Sequence, residues 1–151
     1  MSAANGEPSS AGRRRLVARW LGDYRVEVSA RDGRFKFLSD EAFADGGDDS
    51  GPMPSELLFG SVAACFAMAV VWVARKRRQT LPDLEVTVRA SYDRSARRYT
   101  EIEIEAMSTL AETDPRGFET LARLAEQVCW ITRTLEPGVP VLYRAAAPVR
   151  P

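Results

Sequence analysis

Ser55-Glu-Leu-Leu-Phe-Gly-Ser-Val-Ala-Ala-Cys-Phe-Ala-Met-Ala-Val-Val-Trp-Val-Ala74 decides how the rest of the chain is read. No charged residue occurs from Leu57 to Ala74, and Ala and Leu, strong helix formers, recur through the run. A helix that is apolar all round is expected to be buried on every side. Cys65 stands in its middle, and the only other cysteine is Cys129. A thiol so placed is either core packing or chemistry.

The run is just long enough to span a membrane, and Arg75-Lys-Arg-Arg78 would suit a cytoplasmic flank. Its small residues and its Pro54-Ser-Glu56 start argue instead for a buried helix in a cytoplasmic protein. So do the amphipathic strands elsewhere in the chain, which need a core. Met1 to Arg15 lacks the apolar segment of a signal peptide.

Composition narrows the chemistry. The 151 residues suffice for one domain with a real core. Lys plus Arg and Asp plus Glu each total 21, so no net field draws the chain to nucleic acid. There is no histidine. That excludes Ser-His-Asp and Cys-His catalysis and imidazole metal sites. Two cysteines far apart in sequence do not make a zinc site, so no metal or cofactor is expected.

Outward from the helix, Met1–Gly12 is small and polar, and residues 1–15 read as a disordered tail before a single domain over 16–151. Alternation around Val17, Tyr24, Val26 and Val28, the turn Arg31-Asp-Gly-Arg34, and Phe35 and Phe37 beyond it predict an N-terminal β-meander with Trp20 in its core. Asp45–Pro52 is acidic and Gly-rich, but its spacing does not fit a calcium loop, and it reads as solvated. Pro54 suits the first helical position, and Glu56 suits the positive end of the helix dipole. Leu81-Pro82 is read as the stop.

Leu84–Ala90 and Tyr99–Ala106 alternate apolar with charged residues and predict a strand pair whose apolar face packs on the long helix. Asp114-Pro115 caps a second helix. Phe118, Leu121, Ala122, Ala125, Val128 and Cys129 form its inward stripe, which aims Cys129 at the core holding Cys65. Val139–Tyr143 is a last strand. Met68, Trp72 and Trp130 read as core. The class is α+β: antiparallel sheets around one long buried helix.

Two motifs in this sequence resemble a known family. Gly51-Pro-Met-Pro-Ser-Glu-Leu-Leu-Phe-Gly-Ser-Val-Ala-Ala-Cys65 is similar to the signature of the OsmC/Ohr proteins, where Pro-x-Glu-Leu-Leu leads into an Ala-rich helix carrying a cysteine. Cys129-Trp-Ile-Thr-Arg-Thr-Leu135, followed by Val139-Pro-Val141, resembles the family's second cysteine motif. Ala18-Arg-Trp20 and Arg31-Asp-Gly33 agree as well, so the resemblance runs from about Val17 to Arg144.

The resemblance implies an intertwined homodimer that reduces organic hydroperoxides or peroxide. It implies that Cys65 is the peroxidatic thiol, Cys129 the resolving thiol, and Arg31 the cation that holds the thiolate and orients the peroxide. An external dithiol would reset the pair. Four positions depart from the pattern, one of them Met53, which stands where a Ser often caps the helix. The glutamate of the family's well-characterised peroxidases falls at Ser55 here, with Glu56 one place later. Trp130 replaces a proline, and Thr132 stands where histidine or serine is usual. At about 100° per residue, Glu56 lies about half a turn round the helix from Cys65.

The chemistry is coherent on its own terms. A thiol, with a pKa of about 8.5, must be deprotonated to attack, and an arginine favours the thiolate at any working pH. Sulfenic acid then condenses with a second thiol, and an external dithiol exchanges the disulfide away. The other reading of the same residues is a non-catalytic dimer that binds a hydrophobic small molecule and keeps its cysteines buried and inert.

Overall fold

The computed structural model describes residues 14–148. The tail expected over 1–15 therefore lies outside the described residues, except for Arg14 and Arg15. The chain divides into two compact units, with the division in sequence between Pro54 and Ser55.

The first unit is an antiparallel meander of β1 (Leu16–Gly22), β2 (Arg25–Ala30) and β3 (Phe35–Ser39). Two tight turns make it possible. Gly22 and Asp23 both take left-handed backbone (φ 115° and 49°), and so do Arg31, Asp32 and Gly33 (φ 50°, 55° and 87°). Such paired left-handed residues match the twist of a hairpin. The register sets Leu16 beside Ala30 and Phe35, Ala18 beside Val28 and Phe37, and Trp20 beside Val26. Strand periodicity therefore gathers these residues on one face. Arg19, Glu27 and Lys36 share the other, where Glu27 lies 3.7 Å from Arg19 and 3.1 Å from Lys36.

Trp20 is not the core anchor that its sequence context suggests. It is 72% exposed, and its indole N–H donates to the Asp23 carbonyl at 2.9 Å. The reason is architectural: among the described residues, this unit has a sheet with an apolar face but only a single 3-10 turn, Phe43–Asp45, and no α-helix of its own to lay over it.

Beyond β3 the chain winds around one buried carboxylate. Asp40 accepts hydrogen bonds from the backbone of Glu41, Asp48 and Ser50 and from the Ser50 hydroxyl, the last at 2.6 Å. The acidic loop after it thus uses a carboxylate to hold its own backbone.

The second unit opens on α1 (Pro54–Arg77). It continues through β4 (Glu85–Asp93), β5 (Arg98–Met107), α2 (Leu110–Thr113), α3 (Pro115–Val128), α4 (Trp130–Leu135) and β6 (Val141–Ala146). Arg78, at φ 53°, ends α1 a few residues before Leu81-Pro82. Asp114 caps α3 as its sequence predicts, accepting from the Gly117 N–H at 2.9 Å. A Cβ at position 117 would overlap that carboxylate.

The sheet order is β4-β5-β6. β4 and β5 pair antiparallel, whereas β6 returns parallel to β5, with Ile104 opposite Tyr143. This sheet is mixed rather than wholly antiparallel because α2, α3 and α4 supply the long crossover that a parallel neighbour needs.

Val62, Phe66, Ala69, Val70, Val73 and Ala74 of α1 form one buried stripe. They cluster with Ile102, Ile104 and Ala106 of β5 and with Phe118, Leu121 and Ala125 of α3. By length and composition α1 could cross a membrane, but this stripe is the core of the unit. Its other face corrects the expectation of burial all round. Gly60, Ala64, Met68 and Trp72, spaced four apart, are exposed, Met68 by 70% and Trp72 by 52%. Trp130 is also surface, at 83%. One sheet and one helix cover only one side of α1.

Candidate functional site

Cys65 sits midway along α1, a residue before the deeply buried Phe66 and on the border between the covered and open faces of the helix. It is half-buried, and its thiol is free. Cys129 is fully buried at the break between α3 and α4. Its N–H donates to the Ala125 carbonyl at 2.9 Å as the last turn of α3. Its own carbonyl accepts from the Arg133 N–H and from the Thr132 hydroxyl, each at 3.2 Å. Position 129 therefore belongs to both helices, and its extended backbone turns the side chain inward.

Cys65 packs against the buried cluster that contains Cys129, and the two thiols are near enough to influence each other. Burial pushes the Cys129 thiol up from its usual range, and the neighbouring Cys65 adds to this. The Thr132 hydroxyl and amide pull the other way. The inward aim expected of Cys129 is thus what the fold provides. Such a pair can do one thing that separate thiols cannot: an oxidised sulfur on one side has a second sulfur beside it.

Of the other two candidate residues, Arg31 belongs to the first unit and Glu56 to the start of α1. Arg31 occupies the tip of the β2–β3 hairpin in the first unit, is exposed, and lays its guanidinium 5.2 Å from the Phe35 ring centre. Glu56 is exposed in the first turn of α1. Because α1 runs unbroken from Pro54 to Arg77, Glu56 stays about half a turn round and about 13 Å along the axis from Cys65. A single chain does not bring its carboxylate to the thiol.

Around Cys129, Thr132 stands out in the sequence only as a departure from the family pattern, and Tyr143, Glu136 and Glu126 do not stand out. Thr132 is completely buried beside the sulfur. Tyr143 of β6 packs its ring on Phe66, with centroids 5.5 Å apart. Its hydroxyl lies near Thr132 and donates to Glu136 Oε1 at 2.7 Å. Burial strongly disfavours the tyrosinate, and the Glu136 carboxylate reinforces this. Glu126 of α3 faces the same group, with its own carboxyl pushed up by burial. The one clue in the sequence is the alternation Val141, Tyr143, Ala145, which sets a polar-tipped ring on an apolar face.

A long apolar helix carrying a thiol, backed by a mixed sheet and a helix break that presents a second thiol to the first, defines a cysteine-pair α+β protein. The chain belongs to the OsmC family, whose profile, described as OsmC-like protein, matches residues 47–144. No curated protein matches the sequence.

Solved structures match most of the chain. One is described as an organic hydroperoxide resistance protein OsmC, predicted redox protein, from Legionella pneumophila. It is 22% identical with a TM-score of 0.72, over 91% of this chain and 99% of that one. Another is a putative organic hydroperoxide resistance protein from Vibrio cholerae with captopril bound in one of its active sites. It is 20% identical with a TM-score of 0.74, over 93% and 96%. OhrB of Bacillus subtilis is 21% identical with a TM-score of 0.66, over 89% and 98%. At these identities the likeness is one of fold.

Proposed function

We propose that this protein is a cytoplasmic homodimer that reduces organic hydroperoxides through its two cysteines. The observation that carries this reading is the Cys65–Cys129 pair, brought together from two distant parts of the chain inside an otherwise apolar core. The Cys65 thiolate attacks the outer oxygen of the peroxide, the O–O bond breaks, and the alcohol leaves after taking up a proton. Cys65 is then a sulfenic acid. Cys129 attacks its sulfur, water is lost, and a disulfide joins the two. An external dithiol restores both thiols by exchange.

Arg31 is the cation in this proposal, stabilising the thiolate and orienting the peroxide. Glu56 is the carboxylate that would orient that arginine. The homodimer is argued from two apolar surfaces. One is the Trp20, Phe35 and Phe37 face of the first sheet; the other is the Met68 and Trp72 face of α1. Exposed side chains of this size, gathered on one face, mark an interaction surface.

Thiol titration before and after one equivalent of cumene hydroperoxide tests the reading. Both thiols should disappear within seconds into one intrachain disulfide, and Cys65→Ser should abolish the reaction. Arg31→Met should slow it at least tenfold while leaving the fold intact. Two thiols that survive minutes of exposure would overturn the peroxidase reading. They would leave a dimer that binds an apolar ligand around inert cysteines.

A further inference from the structure

Resolving a sulfenic acid poses a proton problem that this fold makes acute. Cys129 is fully buried and its thiol is held protonated by that burial, yet only the thiolate attacks sulfur. The proton must leave through a core lined by Val62, Phe66, Ile104 and Leu121. Side chains on the inner side of Cys129 offer a route. Thr132 is fully buried, its hydroxyl donates to the Cys129 carbonyl at 3.2 Å, and both the Cys129 thiol and the Tyr143 phenol feel that hydroxyl. The Tyr143 O–H already donates to the exposed Glu136 carboxylate at 2.7 Å. A groove of about 470 Å³, lined in part by Phe118, Glu126 and Tyr143, brings solvent to the far side of the ring.

We propose that Thr132, Tyr143 and Glu136 form the relay that carries the Cys129 proton to solvent when that thiol attacks Cys65. This rests on the two-cysteine reading above and assigns roles to residues outside it. The donor sequence is consistent in direction. Cys129 S–H gives its proton to Thr132 Oγ1, whose own proton passes to Tyr143 Oη, whose proton passes to Glu136. The Thr132 hydroxyl, which at rest donates to the Cys129 carbonyl, has only to rotate. With a sulfenic acid on Cys65, the S–S bond forms as the S–OH bond breaks. The departing hydroxide takes one proton from solvent while Glu136 returns one, so the step yields only the disulfide and water.

No other charged side chain is needed. Cys65 comes from α1, Glu126 and Arg123 from α3, Glu136 follows α4, and Tyr143 comes from β6; these are the titratable groups that influence one another around the relay. Glu126 and Glu136 together oppose ionisation of Tyr143. The phenol therefore passes a proton on without itself resting as an anion.

The test bypasses peroxide. Cys65 is converted to its mixed disulfide with thionitrobenzoate, and release of thionitrobenzoate by Cys129 is followed by absorbance. In the intact protein release should show a solvent deuterium isotope effect of about 2 or more. Tyr143→Phe and Thr132→Val should slow release at least tenfold and abolish that effect. Thr132→Ser should restore both, and Glu136→Gln should slow release severalfold.

Rates within about twofold of the unsubstituted protein in folded Tyr143→Phe and Thr132→Val would overturn the relay. So would a Thr132→Ser variant as slow as Thr132→Val. If peroxide fails to oxidise Cys65 while the mixed disulfide still resolves through Tyr143, the peroxidase reading falls and the relay stands.

Discussion

The two units apply the same alternating pattern to opposite ends. In the second, the apolar face of β5 meets α1 and α3, and Ile102, Ile104, Phe66 and Phe118 vanish from solvent. In the first, an equally clean alternation assembles Leu16, Trp20, Phe35 and Phe37 on one face and leaves them in the open. A strand's periodicity states which face wants covering. It says nothing of what covers it. Side chains such as Ile104 and Trp20 thus have similar sequence signatures and different energetic meanings, the first stabilising the chain and the second available to an assembly.

Removing one side chain from each unit should make the difference measurable. Phe66→Ala deletes a ring that is 1% exposed and packed on Tyr143, so denaturant unfolding should report a loss of about 3–5 kcal/mol.

Titration separates the units by sign. Cys129 and Tyr143 in the second unit are held protonated mainly by burial, so their folded pKa values lie above the unfolded ones. Their contribution to stability is complete below the unfolded thiol value of about 8.5 and fades as pH climbs through the raised values. Asp40 in the first unit moves the opposite way, held low first by the Ser50 hydroxyl and then by backbone N–H groups. Its contribution is present above about pH 3.9 and lost as pH falls through its lowered value. Alkali should therefore lower the melting temperature through the thiol core. Acid should first loosen the loop after β3, seen as faster amide exchange at Asp48 and Ser50.

The smallest effect on the chain itself is expected at Trp20. In dilute, monomeric conditions Trp20→Lys should change stability by about 0.5 kcal/mol or less, because the ring is already largely in water. In sedimentation at higher concentration the same substitution should shift dimer to monomer. A large loss of monomer stability would erase the contrast between the units.

Much of this architecture is legible in the amino acids. The strand pairs, the start of α1 at Pro54, the Asp114 cap and the inward aim of Cys129 all follow from local chemistry: period, dipole and capping oxygen. What escapes is whatever depends on a distant neighbour. Met68 and Trp72 read as core because hydropathy does not reveal that one side of α1 is left uncovered. The parallel return of β6 is invisible because a short apolar strand carries no mark of direction. The cysteines announce themselves by rarity. Glu136 and Tyr143 do not, and Thr132 shows only as a departure from a motif, since a hydroxyl or carboxylate acquires its role only from what folding sets beside it.

Cys129 lies where two helices join, and Cys65 lies in the helix that forms the spine of the same unit. A covalent bond between them would staple that spine to the crossover and close a loop through β4 and β5. Restricting the unfolded chain in this way is worth on the order of 4 kcal/mol. Under the cycle proposed above, the second unit would therefore unfold less readily when its thiols are spent than when they are recharged.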